Sequence, residues 1–406
     1  MKDKKTIYEI TIITAALMIG IVAAIHFIRM SRDKSREFIT VGFVYDGDES
    51  TPFTANFIRA EKAVERDFGD RVRVIVKSNV SSGGGGEQAI SELVNEGCDL
   101  IFTTSIGYAE AAKKYAGLHP EIQFCEATAP DANDENGDPV YENYHTFMGE
   151  IYQGRYISGV VAGMKLKELL DQGILRPEEA KVGYVAAYSS AEVISGYTAF
   201  FLGVRSIVPE AVMEVKYTNT WSNYNIEKQC AEELIDRGCV IISQHSDTTG
   251  PAVACEERYA EKVVYHVGYN KSMIDIAPTT SLISARINWE PYISGACEAV
   301  LADKKIEKCV KGNVHGNDIG AGFEREWVEM LELNSLVAAE GSKEKIDELI
   351  RDFEKGKIEV FRGDYIGVDP DDPGRTVDLS KGYTENEKSS APSFSYVLKD
   401  VITIVE

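Results

Sequence analysis

Short β-like runs that break off in polar or aromatic side chains, each followed by a helix-patterned stretch, recur along this chain. Residues 38–45 (Phe-Ile-Thr-Val-Gly-Phe-Val-Tyr) lead through a polar turn into residues 53–68, where Phe57, Ala60, Val64 and Phe68 share one helical face. Runs at 72–76, 99–105 and 122–126 repeat the pattern, with helices expected at 87–95 and 110–117. A second series opens at 181 with Lys-Val-Gly-Tyr-Val, close to the first run's Val-Gly-Phe-Val, and continues through a helix at 191–206 and a strand at 213–218. Alternation of this kind builds parallel sheets covered by helices, so the fold class is α/β with paired lobes. At 406 residues the chain exceeds one ordinary domain and suits two.

In a parallel sheet the carboxyl ends of successive strands gather on one side, and ligands bind there. Tyr217-Thr-Asn-Thr-Trp-Ser-Asn223, Ile241-Ile-Ser-Gln-His-Ser-Asp247 and Val267-Gly-Tyr-Asn270 all end runs in this way. Trp221, His245, Asp247 and Asn270 are therefore candidates to line one cleft. Phe53 and Asn56 open the first helix, while Ser105 and Glu126 end strands on the same edge. Each has a plainer structural reading: Trp221 as a half-buried anchor, His245 as a core histidine, Asp247 as a helix cap, Glu126 as a solvated strand end. Tyr108 and Tyr269 read as packing residues. None of the spacings is that of a catalytic triad or a metal site, so the pattern points to binding rather than chemistry, with no cofactor and no metal.

Composition narrows the partners. Lys and Arg total 43 against 65 Asp and Glu, a net charge of −22, which disfavours nucleic acid and anionic lipid. The seven cysteines include no CxxC pair, so zinc and thioredoxin chemistry have no support. Four glycines at 83–86 precede a helix, but neither Gly-Lys-Ser/Thr nor GxGxxG follows, and the stretch reads as a flexible loop.

Lys2, Lys4 and Lys5 precede an apolar run over 10–28, long enough at ~1.5 Å per residue to cross a ~30 Å hydrocarbon core. No Ala-x-Ala site follows, and no cysteine occurs before Cys98. The expectation is an uncleaved single-pass anchor in the cell membrane with the acidic lobes extracytoplasmic; a cleaved export signal is the alternative. The expected organisation is an anchor and linker at 1–37, a first lobe from 38–148 plus 285–318, a second from 149–284 plus 319–366, and an irregular tail at 367–406.

Several stretches in this order carry a resemblance: Leu100-Ile-Phe-Thr-Thr-Ser-Ile-Gly-Tyr108, Gly149-Glu-Ile-Tyr-Gln-Gly-Arg-Tyr-Ile-Ser-Gly-Val-Val-Ala-Gly163, Thr218-Asn-Thr-Trp221, Gln244-His-Ser-Asp247 and Asn288-Trp-Glu-Pro-Tyr292. From about 41 to 363 the chain resembles the basic-membrane-protein (Bmp) family of substrate-binding proteins, which feed ABC transporters. The resemblance implies a type I periplasmic-binding fold: two Rossmann-like lobes joined by a three-strand hinge that close on a ligand, here a purine base or nucleoside. A purine is a flat π-system held between aromatic faces, with an edge that amides and carboxylates match. Phe53 and Trp221 are then the stacking rings, Glu126 or Asp247 takes the base edge, Asn56, Ser105 and His245 add polar contacts, and Trp289 closes the lid. Asn270 and Arg286 stand where nucleoside-binding relatives carry an acid and a lysine, which favours the free base or a modified purine. The expected partners are the small-molecule ligand, an ABC permease and the membrane, with the protein a monomer. A membrane-tethered sensor is the alternative. A nucleoside hydrolase or phosphorylase would need an Asp-rich calcium cluster or a phosphate site, and the sequence offers neither.

Overall fold

The structure, a computed structural model, describes residues 35–406; the apolar run at 10–28 and its expected anchor role lie outside the described residues. The first lobe opens with β1 (Ile39–Val44), α1 (Pro52–Phe68), β2 (Val72–Lys77), α2 (Gly86–Asn95), β3 (Leu100–Thr103), α3 (Ala109–Leu118), β4 (Gln123–Ala127) and β5 (Tyr144–Gly149). The second takes α4 (Ile151–Asp171), β6 (Lys181–Ala186), α5 (Ala191–Arg205), β7 (Val212–Tyr217), α6 (Tyr224–Asp236), β8 (Ile241–His245), α7 (Gly250–Arg258), β9 (Tyr265–Tyr269) and β10 (Ser281–Ile287). The chain returns to the first lobe through α8 (Glu290–Leu301), α9 (Ile306–Cys309), β11 (Asn313–His315) and β12 (Asp318–Ala321). It crosses back with β13 (Val328–Met330) and α10 (Ser342–Glu354).

Each lobe holds a seven-stranded sheet. The first runs β11-β12-β5-β4-β3-β1-β2. Its strands are parallel except for β11. All six residues of β1 are buried, as expected of a strand covered on both faces. The expected α/β fold of two Rossmann-like lobes is what forms, and the strand–helix alternation is its cause.

The lobes are joined where the chain crosses three times. Glu150 N–H donates to Ala321 O at 2.8 Å, and Asn288 N–H to Trp327 O at 2.8 Å, so the crossing segments lie side by side as a narrow hinge. The crossings fall later than the expected boundaries. Residues 285–287 belong to the second sheet, where Ala285 pairs with Tyr269 and Met330. Residues 319–321 belong to the first, where Ile319 pairs with Phe147. In both places the ladder carries the strand past the point where the apolar pattern changes.

The expected irregular tail at 367–406 is also corrected. It contains β14 (Ile366–Val368), β15 (Thr376–Asp378), β16 (Val397–Leu398) and β17 (Ile402–Val405). β17 lies parallel to β7 and completes the second sheet, in the order β13-β10-β9-β8-β6-β7-β17. Between them Ser390 reaches the other lobe, donating from Oγ to Asp318 Oδ1 at 2.7 Å. The late apolar run is an edge strand because β7 offers it a ladder, with Ile402 buried and Ile404 exposed.

In the second lobe α4 and α5 approach so closely that a Cβ on Gly159 would sit 1.8 Å from the Phe200 carbonyl oxygen. Gly159→Ala is therefore expected to cost ~1–3 kcal/mol, as overpacking does, and to lower the melting temperature by several degrees in a thermal scan. An unchanged melting temperature would contradict this contact.

Candidate functional site

The strand ends of both sheets converge on a small cavity between the lobes. The first lobe lines it with Asp46, Phe53, Thr104, Ser105, Ile106 and Thr128, and the second with Glu192, Trp221, His245, Asp247 and Tyr269.

The wall of the first lobe follows directly from its turns. β1 ends in Tyr45-Asp46, and Asp46 accepts from Thr54 Oγ at 3.3 Å. Burial raises its carboxyl above the usual range. Pro52 occupies the first turn of α1, where its missing N–H costs nothing, and the next residue, Phe53, faces the cavity. The Phe53 ring is braced edge-on by Phe57 and Trp289, with centroids at 5.3 and 6.2 Å. Ser105 sits in extended backbone just before a short 3₁₀ turn.

In the second lobe Asn219 takes a left-handed conformation after β7, turning the chain so that Trp221 faces inward. Trp221 packs edge-on against Tyr188 at 5.3 Å, and its carbonyl accepts from Asp247 N–H at 2.9 Å. The backbones that carry the ring and the carboxyl are thus joined to each other. Burial lifts the Asp247 carboxyl well above its ordinary range, reinforced by Glu227, Asp46 and Glu192.

His245 ends β8 with its ring against Gly196 of α5; a Cβ there would lie 2.6 Å from Nδ1, so the position excludes any side chain. His245 is 2 % exposed, and neither ring nitrogen has a hydrogen-bond partner among the described residues. Its Nε2 lies 3.7 Å from Glu192 Oε1. Burial pushes its pKa down to about 4, with help from the positive charge of Arg155. Near neutral pH the ring is uncharged and offers one donor and one acceptor. Arg155 itself is buried behind the wall, its guanidinium 3.6 Å from the Tyr269 ring centre, and it donates to the Gln244 carbonyl at 2.8 Å.

Of the residues singled out in the sequence, Phe53, Ser105, Trp221, His245 and Asp247 line the cavity. Asn56 and Asn270 stand beside it as a link between the lobes: Asn56 Nδ2 donates to the Asn270 carbonyl at 3.1 Å and to its Oδ1 at 3.3 Å. Asn270 Nδ2 in turn reaches Asp247 Oδ1 at 3.5 Å. Glu126 is fully buried against Thr103, its partner across the β3–β4 ladder, and does not line the cavity. Desolvation raises its carboxyl well above the usual range, which favours the protonated form. Trp289 is no lid. It is 1 % exposed and stacks on Phe57 at 4.3 Å in the core of the first lobe. Arg286 pairs with Glu329 at 2.7 Å, away from the cavity.

Asp46, Thr104, Ile106, Thr128 and Glu192 line the cavity beyond the residues expected from the sequence, and Tyr269, expected to pack, lines it as well. Asp46 directly follows β1, so the strand-end rule reaches it. Thr128 comes from a loop and Glu192 from the first turn of α5, and no periodicity encodes which way either side chain faces. Among the described residues no cluster of His, Cys, Asp and Glu is arranged to hold a metal ion.

Comparison with known proteins agrees with this architecture. Solute-binding proteins of ABC transporter systems from Aeropyrum pernix and Conexibacter woesei superpose with TM-scores of 0.63 and 0.60, at 16 % and 18 % identity. Each superposition covers 79 % of this chain, and 92 % and 97 % of those proteins respectively. A purine-binding protein of Brucella abortus is 31 % identical over 268 residues, 66 % of this chain and 70 % of that protein. A putative ABC transporter glucose-binding protein of Haloferax volcanii is 29 % identical over 214 residues, 53 % of this chain and 49 % of its own length. The model of the Bmp family, ABC transporter substrate-binding protein PnrA-like, matches residues 38–358. With two parallel-sheet lobes, a three-crossing hinge and a cavity at the strand ends, this chain belongs to the Bmp family of PnrA-like ABC transporter substrate-binding proteins.

Proposed function

We propose that the cleft captures a purine base or nucleoside and that the closed lobes deliver it to an ABC permease. The observation that carries this reading is the pairing of aromatic walls from opposite lobes, Phe53 and Trp221, with an uncharged, unpartnered His245 and polar groups between them. Rings on two sides suit a flat π-system, and a neutral imidazole beside carboxylates suits the mixed donor and acceptor edge of a purine. The purine-binding relative from Brucella supports the same ligand class. The lobes are proposed to work outside the cell, tethered by the apolar run at 10–28 and acting as a monomer.

Thermal unfolding of the full chain against adenine, guanine, hypoxanthine and their nucleosides tests this. A ligand at a hundred times its dissociation constant stabilises by ~2.7 kcal/mol, a shift of several degrees. No shift with any purine, in folded protein free of carried-over ligand, would overturn the purine assignment.

Closure uses the Asn56–Asn270 link, whose partners come from opposite lobes and are both buried. Asn56→Ala removes a net contribution of ~1 kcal/mol from the closed state. It is expected to weaken ligand binding about fivefold in calorimetry, chiefly through a faster off-rate. Equal affinity in the variant would show that the link does not hold the closed state.

A further inference from the structure

The cavity carries an unbalanced charge. Asp46 from the loop after β1, Glu192 at the start of α5 and Asp247 after β8 all line it, and among the described residues no Lys or Arg does. Glu227 of α6 adds to the negative field at Asp247. Arg155 lies behind the Tyr269 ring, its guanidinium 3.6 Å from the ring centre, and does not line the cavity. His245, buried and with both ring nitrogens unpartnered, points to a polar ligand in this acidic surround.

Carboxylates accept hydrogen bonds and donate none when ionised, so a ligand here must turn its own N–H groups toward them. A phosphate would meet acidic side chains on both lobes with no cation lining the cavity to neutralise it, in a site of low dielectric where repulsion from any ionised carboxylate is strong. We propose that Asp46, Glu192 and Asp247 act as a charge filter, taking an amino-bearing, uncharged or protonated purine through its N–H donors and turning away purines that carry phosphate. This rests on the purine reading and adds to it a specificity set that includes Glu192 and Asp46. Nucleotides would enter the cleft only after a phosphoester hydrolysis supplied the free nucleoside or base.

The proton balance follows the same geometry. In the empty cavity the Asp46 and Asp247 carboxyls are held above their ordinary range. Donors from a neutral ligand favour the ionised forms, so binding releases protons and affinity rises as pH rises through the raised values.

The test is calorimetry on the full chain and on D46N and E192Q, with adenine, hypoxanthine, adenosine and adenosine monophosphate. Titrations run between pH 5 and 8 in two buffers of different ionisation heat. The expected result is adenine tighter than hypoxanthine, the monophosphate more than a hundredfold weaker than adenosine, and protons released on binding. Each substitution should narrow the adenosine–monophosphate gap at least tenfold while leaving the melting temperature within a few degrees. A gap that neither substitution narrows would mean that size excludes the phosphate, and would overturn the filter while leaving purine binding intact. Monophosphate binding within fivefold of adenosine would also overturn it. Failure of every purine to bind would overturn the purine reading and the filter together.

Discussion

Trp221→Ala is expected to weaken purine binding roughly ten- to a hundredfold and to leave the fold standing. The ring is partly buried at the mouth of the second lobe, braced by Tyr188, and one face looks into the cavity. Loss of a base–aromatic stack costs ~1–3 kcal/mol on alanine substitution, and each ~1.4 kcal/mol is tenfold in affinity. The backbone link from Asp247 N–H to the Trp221 carbonyl survives the change, so the loss reports the ring and not a displaced carboxyl. Trp221→Phe should recover most of the affinity. Calorimetry giving wild-type affinity for Trp221→Ala would remove this ring from the binding account.

Trp289→Ala is expected to do the reverse, with a large loss of stability. The indole is buried among Phe57, stacked at 4.3 Å, Phe147, edge-on at 5.5 Å, and Phe53. Emptying such a site costs ~3–5 kcal/mol, which in a protein of this size lowers the melting temperature by roughly 4–6 °C. Any change in affinity would come indirectly, through Phe53 losing its brace. A melting temperature within two degrees of wild type would show that the first-lobe core does not depend on this stack. A loss of affinity without loss of stability would restore Trp289 to the ligand site.

The contrast between these tryptophans marks what the sequence discloses. Both follow strands, so the strand-end rule nominates each. Trp221 follows β7, whose end opens into the cleft. Trp289 follows β10 at a hinge crossing, where the chain passes into the other lobe and the side chain falls into the core between α1 and α8. Which side of a crossing a residue faces is set by tertiary packing and leaves no periodic trace. The same limit explains β17: an apolar run after a Pro-, Asp- and Gly-rich stretch reads as a stray end until β7 supplies its ladder. It also explains β5, whose six residues are all buried and which the sequence shows only as the approach to the Gly149 motif. The alternation of runs and helices, by contrast, is local and strongly periodic, and it marks β1 to β4 and β6 to β9 from the residues alone. Asn56 and Asn270 lie between these cases. Their position near the cleft is legible, but their attachment to each other depends on how far the lobes close.

The central claim is that a purine lies against Trp221 between the lobes, and intrinsic fluorescence addresses it most directly. The chain has three tryptophans, and Trp289 and Trp327 are each 1 % exposed, which leaves Trp221 as the one beside the cavity. Titrating the full chain with adenine, guanine and their nucleosides, with glucose as the control, should give saturable quenching by a purine, none by glucose, and no quenching in Trp221→Ala. Saturable quenching by glucose and none by any purine would contradict the account and assign the cleft to a sugar.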